Sequence, residues 1–204
     1  VLAVALAVAV VAALGHGAFR IPPADVLAIV FALAGGGEAA DAQQAAVLTS
    51  IRAPRVLLAV LTGAGLAVAG ALMQGLFRNP LADPALIGVS AGAALAAATV
   101  IVLGNTLAPA WLRGDAFAPY LLPLAAFAGA VAVTALVYRI GRAHGVLSLP
   151  VTLLAGIAIN AIAMAGVGLL IFVATDEQLR TLTFWNLGSL AGGTWRALLP
   201  VVPL

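Results

Sequence analysis

The sequence predicts an all-α membrane protein, a polytopic bundle of transmembrane helices, and three features lead to that class. Hydrophobic residues make up 64% of the chain and charged residues only 8%, and the mean hydropathy is +1.20, whereas soluble domains carry far more charge. Apolar runs of about 20 residues, the length that crosses a bilayer as a helix, recur along the chain. The 22 glycines and 11 prolines fit membrane helices, in which small residues allow close packing. We therefore expect a multi-pass protein embedded in a lipid bilayer.

Four apolar runs have the length and character of membrane helices, near residues 56–77, 86–103, 120–138 and 150–174. Two more runs are incomplete, since residues 1–14 contain no initiator Met and the chain stops inside a run that starts near residue 197. We expect a piece of a longer protein, with about six membrane helices, whole or partial, in a single transmembrane domain over residues 1–204. The h-region of a signal peptide is an alternative for residues 1–14, although no basic flank or cleavage site supports it.

Two shorter segments add detail to this bundle. Gly88 and Gly92 form a GxxxG step, which lets two helix backbones approach closely. The segment from Ala174 to Trp195 mixes charged and aromatic residues, a composition typical of the membrane–water interface. We expect tight helix packing at the glycines and a short surface helix in the later segment.

The residue types present exclude several kinds of chemistry. The chain has no cysteine, and all nine of its basic residues are arginine, so it has neither a thiolate metal site nor the lysine of a phosphate-binding P-loop. His16 and His144 fall in separate loops, and no catalytic constellation can be built around them. We expect no enzyme activity, no cofactor or metal bound by this chain and no nucleic-acid partner, so any energy from ATP must come from a partner protein.

A passive channel or a structural membrane scaffold is an alternative of a different class, because small-residue helices could build either. A channel usually selects ions with a ring of charges or carbonyls, and a proton-coupled carrier needs an ionisable residue within a helix. No charged residue is expected inside the predicted membrane helices. Transport driven by a partner is therefore the favoured interpretation.

Three polar side chains interrupt the apolar runs: Gln74, Thr134 and Asn160. An unpaired amide in lipid is costly, so each should face the inside of the bundle. For Gln74 and Asn160 two roles remain open, a hydrogen bond to a neighbouring helix or a place along a transport pathway.

Two sequence blocks resemble the signature of FecCD-type ABC importer permeases, which carry heme, ferric siderophores or cobalamin. The first block comprises Arg52-Ala-Pro-Arg55, Gly63-Ala-Gly-Leu-Ala67, Gln74, Arg78-Asn-Pro-Leu-Ala-Asp-Pro84 and Gly88-Val-Ser-Ala-Gly92. The second comprises Leu154-Ala-Gly-Ile-Ala-Ile-Asn160, Asp176-Glu-Gln-Leu-Arg180, Phe184-Trp-Asn-Leu-Gly-Ser-Leu190 and Trp195. The resemblance spans roughly residues 47 to 204, and the string from Leu182 to Leu190 is most similar to heme-importing members.

The resemblance implies ten helices per subunit, of which this chain supplies the first half, and a complex with several partners. These are a second permease subunit, expected to be an identical copy, two cytoplasmic ATPase subunits that bind ATP and Mg, and a periplasmic or extracellular substrate-binding protein. The complex would lie in the bacterial cytoplasmic (inner) membrane and import an iron chelate by alternating access. Heme is the favoured cargo, with ferric siderophores and cobalamin as alternatives.

The resemblance also assigns roles to individual residues. It places residues 15–55 outside the cell and implies that Arg52 and Arg55 dock acidic residues of the binding protein, for which exposed guanidinium groups are well suited. The alternative is that both arginines extend to the interface and only anchor the helix end.

The cytoplasmic gate is the second implied site. Asn79 and Leu81 match positions of the inner gate, as its polar side and its apolar plug. Ser148, Leu149 and Pro150 occupy the corresponding turn before the fifth helix and are expected to form a second gate element, although Leu149 and Pro150 replace small polar residues of the family. The alternative for the first turn is a rigid connector in which Asn79 caps the next helix.

Overall fold

A computed structural model describes residues 1–35, 41–107, 109, 118–142 and 145–198. All regular elements in these ranges are helical, which confirms the all-α prediction. In chain order the α-helices are α1 Leu2–Gly15, α2 Pro23–Gly35, α3 Ala42–Val47, α4 Ala53–Phe77, α5 Val89–Leu107, α6 Ala118–Gly141, α7 Leu149–Val173, α8 Asp176–Leu187 and α9 Trp195–Leu198. A π-helical turn, Leu48–Arg52, joins α3 to α4, and a 3-10 turn, Pro84–Ile87, precedes α5.

Among the described residues, three helices are long and apolar enough to cross a membrane: Ala42–Phe77, Tyr120–Gly141 and Leu149–Val173. The same residues contain three shorter apolar helices: Leu2–Gly15, Pro23–Gly35 and Val89–Gly104. The six apolar helices of the described part agree with the predicted number, but they are not the same six segments. The segment 15–55, which the resemblance places outside the cell, contains α2 and α3, whereas the predicted run from residue 197 lies almost entirely outside the described residues.

The chain divides into two compact units, and the single transmembrane domain over residues 1–204 stays a prediction. The first unit comprises Val1–Gly65 together with the described residues from Ser189 onward, and the second comprises Leu66–Gly188. The core of the first unit is a cluster of five buried side chains from α1, α2 and the residues between and after them: Leu14, Ile21, Val26, Ile29 and Leu48.

The second unit is built on close contact between α5 and α6. A β-carbon placed on Gly92 would lie 2.5 Å from the Gly129 carbonyl oxygen and 2.8 Å from the Val133 side chain. Only glycine allows this approach, and the result agrees with the tight packing expected from the GxxxG step. A core of Ala98, Val102, Val167 and Leu182 continues this packing to α7 and α8.

The predicted short helix in the interfacial segment is present as α8. Thr175 and Gln178 form a capping box at its start, an arrangement that pairs two otherwise unsatisfied backbone N–H groups. The Gln178 amide also donates to the Val102 carbonyl at 3.0 Å. This contact attaches α8 to α5 within the second unit.

Candidate docking and gate sites

Arg52 is the last residue of the π-helical turn, and its side chain is buried, with 9% of its surface exposed. Its Nη1 donates to the Leu14 carbonyl at 2.5 Å, and its Nη2 donates to the Phe19 carbonyl. The expectation of an exposed guanidinium is therefore wrong for Arg52, because the connection between α1 and α2 folds over the side chain. Docking through Arg52 stays a prediction, but the structure gives this residue a different contact.

The backbone around Arg52 is shaped to hold the guanidinium. A β-carbon placed on Gly17 would lie 2.7 Å from Arg52 Nη2, so a larger residue at position 17 would displace the guanidinium. Leu14 lies in the last turn of α1, where carbonyl groups lack helical partners and a positive charge is favourable. Arg52 thus caps the C-terminal end of α1 from 38 residues away in sequence.

Arg55 lies in the first turn of α4 and is exposed. It borders the segment that leads into α9, since a β-carbon on Gly193 would lie 3.2 Å from both Cα and Cγ of Arg55. That segment is attached to the same region of the first unit by Trp195, whose Nε1 donates to the Thr49 carbonyl at 3.0 Å. The Arg55 guanidinium is the accessible member of the predicted docking pair.

The turn after α4 is held by short local hydrogen bonds. Arg78 has a left-handed backbone, with φ at 48°, which is uncommon for a residue other than glycine. The Asn79 N–H donates to the Gln74 carbonyl at 3.1 Å, and the Asn79 Oδ1 accepts the Leu81 N–H at 2.9 Å. These bonds leave the Leu81 side chain 85% exposed at the tip of the turn.

The cap of the next element is Asp83 and not Asn79. The Asp83 carboxylate accepts the Ala85 N–H at 2.7 Å at the start of the 3-10 turn, whereas Asn79 stabilises its own turn. The alternative in which Asn79 caps the next element is therefore wrong. Leu81 lies between Asn79, which accepts its N–H, and Asp83, which caps the 3-10 turn. The gate role of Asn79 and Leu81 stays a prediction.

The second predicted gate element forms the start of α7. Ser148 is the N-cap of the helix, with no side-chain cap bond, and its N–H donates to the Gly141 carbonyl at 2.9 Å. Leu149 and Pro150 form the first turn of α7, so they are helical and do not form a loop. Thr152 is buried, and a β-carbon on Gly141 would overlap its hydroxyl. The gate role of Ser148, Leu149 and Pro150 stays a prediction.

The polar residues expected to face the bundle have different environments. Gln74 is exposed on α4 in the described part of the chain. Thr134 is half-buried beside an apolar cavity of about 560 Å³. The Asn160 Nδ2 donates to the Ala85 carbonyl at 3.0 Å, so α7 is bonded to the 3-10 turn. Asn160 therefore contacts another element of the second unit, whereas Gln74 is exposed.

Asn160 also lines an open cavity of about 580 Å³ within the second unit. Small residues of α5 form one wall, and the end of α8 contributes Trp185 and Asn186. Besides Asn160, Trp185 and Asn186, Ser90 contributes a polar side chain to the lining. Asn160 therefore bonds a neighbouring element, whereas its place along a transport pathway stays a prediction.

Within the described ranges, no group of three or more His, Cys, Asp or Glu side chains could hold a metal ion. The important contacts that the sequence could not indicate are those to backbone carbonyls, at Leu14 and Phe19 for Arg52 and at Ala85 for Asn160. Every residue has a backbone carbonyl, so the sequence does not indicate which one accepts a given hydrogen bond. Only the three-dimensional arrangement identifies these partners.

The model of the FecCD transport family matches residues 5–204. The chain belongs to the FecCD transport family. The FecCD resemblance noted in the two sequence blocks is thus confirmed, and this FecCD chain is a multi-pass membrane protein with the apolar helices described above. Its arginine pair and its 78–84 turn lie within the matched residues.

Two curated relatives show how far the similarity of the FecCD chain extends. It is 47% identical over 151 residues to the hemin transport system permease protein HmuU of Yersinia pestis, covering 74% of this chain and 43% of the relative. It is 40% identical over 158 residues to the vitamin B12 import system permease protein BtuC of Escherichia coli, covering 74% of this chain and 45% of the relative. The chain spans less than half the length of both relatives.

A solved structure agrees with the fold of the FecCD chain over almost its whole length. The structure is that of a metal-chelate type ABC transporter in an inward-facing conformation. The match has a TM-score of 0.77 and 30% sequence identity, and it covers 99% of this chain and 56% of the solved chain. The helical arrangement of the described residues is therefore that of an ABC transporter membrane subunit.

Proposed function

We propose that this chain forms part of the permease subunit of an ABC importer that moves heme across the bacterial cytoplasmic membrane by alternating access. The observation that carries the choice of cargo is the higher identity to the hemin permease, 47% against 40% for the vitamin B12 permease, over alignments of similar length. Ferric siderophores and cobalamin are the alternatives from the same family.

The importer needs partners that supply energy and cargo. The absence of lysine from the sequence rules out a P-loop in this chain, so ATP and Mg belong to a pair of cytoplasmic ATPase subunits. A second permease subunit, an identical copy, completes the pathway, and a soluble binding protein delivers cargo from outside. The chain itself contributes no catalytic residue to this cycle.

Docking of the binding protein is assigned to Arg55 directly and to Arg52 indirectly. Arg55 is exposed at the start of α4, where a guanidinium can pair with a carboxylate and steer an acidic partner. Arg52 fixes the start of α4 to the end of α1 through the Leu14 carbonyl. Arg52 thereby orients the surface on which Arg55 acts.

The inner gate is assigned to Leu81, with Asn79 holding its turn. An exposed leucine at the tip of a capped turn is suited to an apolar plug, because it can close a polar pathway by excluding water. Ser148, Leu149 and Pro150, at the start of α7, are the second element of this gate.

Cargo choice is tested by competition in vesicles that contain the full-length permease, its ATPase and its binding protein. Labelled heme is supplied outside, with unlabelled heme, a ferric siderophore or cobalamin in excess. We expect only heme to abolish uptake of the label. Absence of labelled heme uptake, or its abolition by the siderophore or by cobalamin at a lower excess than unlabelled heme requires, would overturn the choice of heme.

A further inference from the structure

The buried face of α7 carries an amide in its middle. Thr152, Gly156, Ala163 and Val167 are buried on this helix, at intervals of four, seven and four residues that place them on one face. Asn160 follows Gly156 by four residues and so lies on the same face. An amide on a packed face of a membrane helix is costly unless it is hydrogen-bonded.

Three contacts attach the 3-10 turn and Gly88 to this face. The Asn160 Nδ2 donates to the Ala85 carbonyl at 3.0 Å. Gly156 faces the Leu86 carbonyl so closely that a β-carbon on Gly156 would overlap the carbonyl oxygen. Gly88 has a left-handed backbone with φ at 86°, and a β-carbon there would lie 3.2 Å from Asn160 Oδ1. The turn therefore rests on α7 with no room for side chains at either glycine.

Only one of the two polar atoms of the Asn160 amide has a hydrogen-bond partner among the described residues. Its Oδ1 is a buried atom without a hydrogen-bond partner among the described residues, and leaving such an acceptor unpaired costs free energy. A leucine, which has the same branching but no polar atom, would avoid that cost. The hydrogen bond from Asn160 Nδ2 to the Ala85 carbonyl is therefore the best explanation for an amide at this position.

The contact lies close to the predicted gate in sequence and in space. Ala82, one residue after Leu81, is buried, and its N–H donates to the Asn79 carbonyl at 3.1 Å. Asp83 then caps the 3-10 turn through the Ala85 N–H. A displacement of Ala85 would thus move the base of the Leu81 tip.

We propose that Asn160 is a positioning residue for the inner gate, which holds the turn of residues 78–88 on α7 through the Ala85 carbonyl. This role rests on the proposed gate function of Leu81. Since α7 begins at the second gate element, Ser148 to Pro150, the same helix carries both gate turns. The distance along α7 from Leu149 to Gly156 is about 10 Å, at about 1.5 Å per residue, so a movement of α7 shifts both turns together.

The test compares variants of the full-length permease assembled with its ATPase and binding protein. Asn160→Leu removes the donor while keeping the number and branching of the side-chain heavy atoms, and Asn160→Gln keeps an amide donor on a longer side chain. Asn186→Leu is the matched control, because Asn186 is exposed and lines the same cavity. Amide hydrogen exchange of residues 82–88 is measured without nucleotide, together with the number of ATP molecules hydrolysed per heme imported.

In Asn160→Leu we expect exchange of the 82–88 amides to rise about fivefold, the effect of losing one ordinary hydrogen bond. Amides of α5 and α6 should exchange as in the wild type. Asn160→Gln should lie closer to the wild type than Asn160→Leu, and Asn186→Leu should match the wild type. The number of ATP molecules per heme should rise in Asn160→Leu alone.

Unchanged exchange at 82–88 in Asn160→Leu would overturn the positioning contact, whatever the transport ratio. A rise spread over α5 and α6 would overturn it as well, because that pattern indicates general loosening of the second unit. Raised exchange confined to 82–88 with a wild-type transport ratio would contradict the gate function of Leu81 and leave the contact standing. The two proposals can therefore fail separately.

Discussion

The Arg52 guanidinium donates to the Leu14 carbonyl at 2.5 Å and joins the residue before α4 to the last turn of α1. This contact separates the roles of two arginines that the sequence presents as a pair. Arg52 is enclosed by the connection between α1 and α2, whereas Arg55 is accessible one turn later. Substitutions at the two positions should therefore change different properties.

Arg52→Lys should lower the stability of the first unit while preserving its charge. A lysine cannot reproduce the fork that reaches both the Leu14 and Phe19 carbonyls, so we expect a loss of about 1–3 kcal/mol. The measurement is the thermal unfolding midpoint of the purified permease in detergent. Arg55→Lys is the control and should leave the midpoint unchanged. Equal midpoints for both variants and the wild type would contradict the buried role of Arg52.

Arg55→Glu should weaken docking of the substrate-binding protein without lowering the unfolding midpoint. An exposed cation opposite an acidic partner contributes to the association rate and to its salt dependence. We expect an affinity about tenfold lower and a weaker effect of salt on it. Surface-immobilised binding protein provides the measurement. Arg142→Glu, placed on the cytoplasmic side by the proposed topology, is the control, and an equal loss in that variant would reject Arg55 as the docking residue.

Leu81→Ala should uncouple ATP hydrolysis from transport. Shortening the exposed tip of the 78–88 turn leaves the inner end of the pathway incompletely closed, so we expect more ATP hydrolysed per heme imported. Leu72→Ala is a matched control, since Leu72 is also a largely exposed leucine but lies within α4. A wild-type ratio in Leu81→Ala, or the same increase in Leu72→Ala, would count against the gate.

Gly92→Val should disrupt the contact between α5 and α6. Its side chain would begin 2.5 Å from the Gly129 carbonyl oxygen, and overpacking of this kind costs about 1–3 kcal/mol. The unfolding midpoint in detergent is again the measurement. Gly168→Val on α7 is the comparison, because a β-carbon there meets no described atom within 4 Å. If both variants unfold at the same temperature, the glycine contact is not a determinant of stability.

Hydropathy was sufficient to predict the class of this fold and the four long apolar runs. It failed at α2, which has 13 residues and is therefore shorter than the span that hydropathy detects. A local signal was available: Pro23 opens the helix and Asp25 lies in its first turn, as at many helix starts. That signal identifies a helix start but says nothing of the bilayer, so hydropathy predicts no membrane helix in this segment.

The candidate sites show the same division between local and tertiary information. The turn at Asn79 could be predicted, because proline and asparagine fix local geometry. The burial of Arg52 could not be, because the atoms that enclose it belong to residues more than 30 positions earlier. The sequence indicates that the Asn160 amide needs a hydrogen-bond partner, but that partner is a carbonyl 75 residues away.

If this chain serves an importer driven by ATP, heme must accumulate only when ATP is hydrolysed. Vesicles holding the full-length permease, its ATPase and its binding protein are given heme with ATP, with no nucleotide, or with ATP and an ATPase subunit unable to hydrolyse it. We expect accumulation against a gradient with ATP and the active ATPase only. Flux that equilibrates heme equally under all three conditions would contradict it and favour a passive channel.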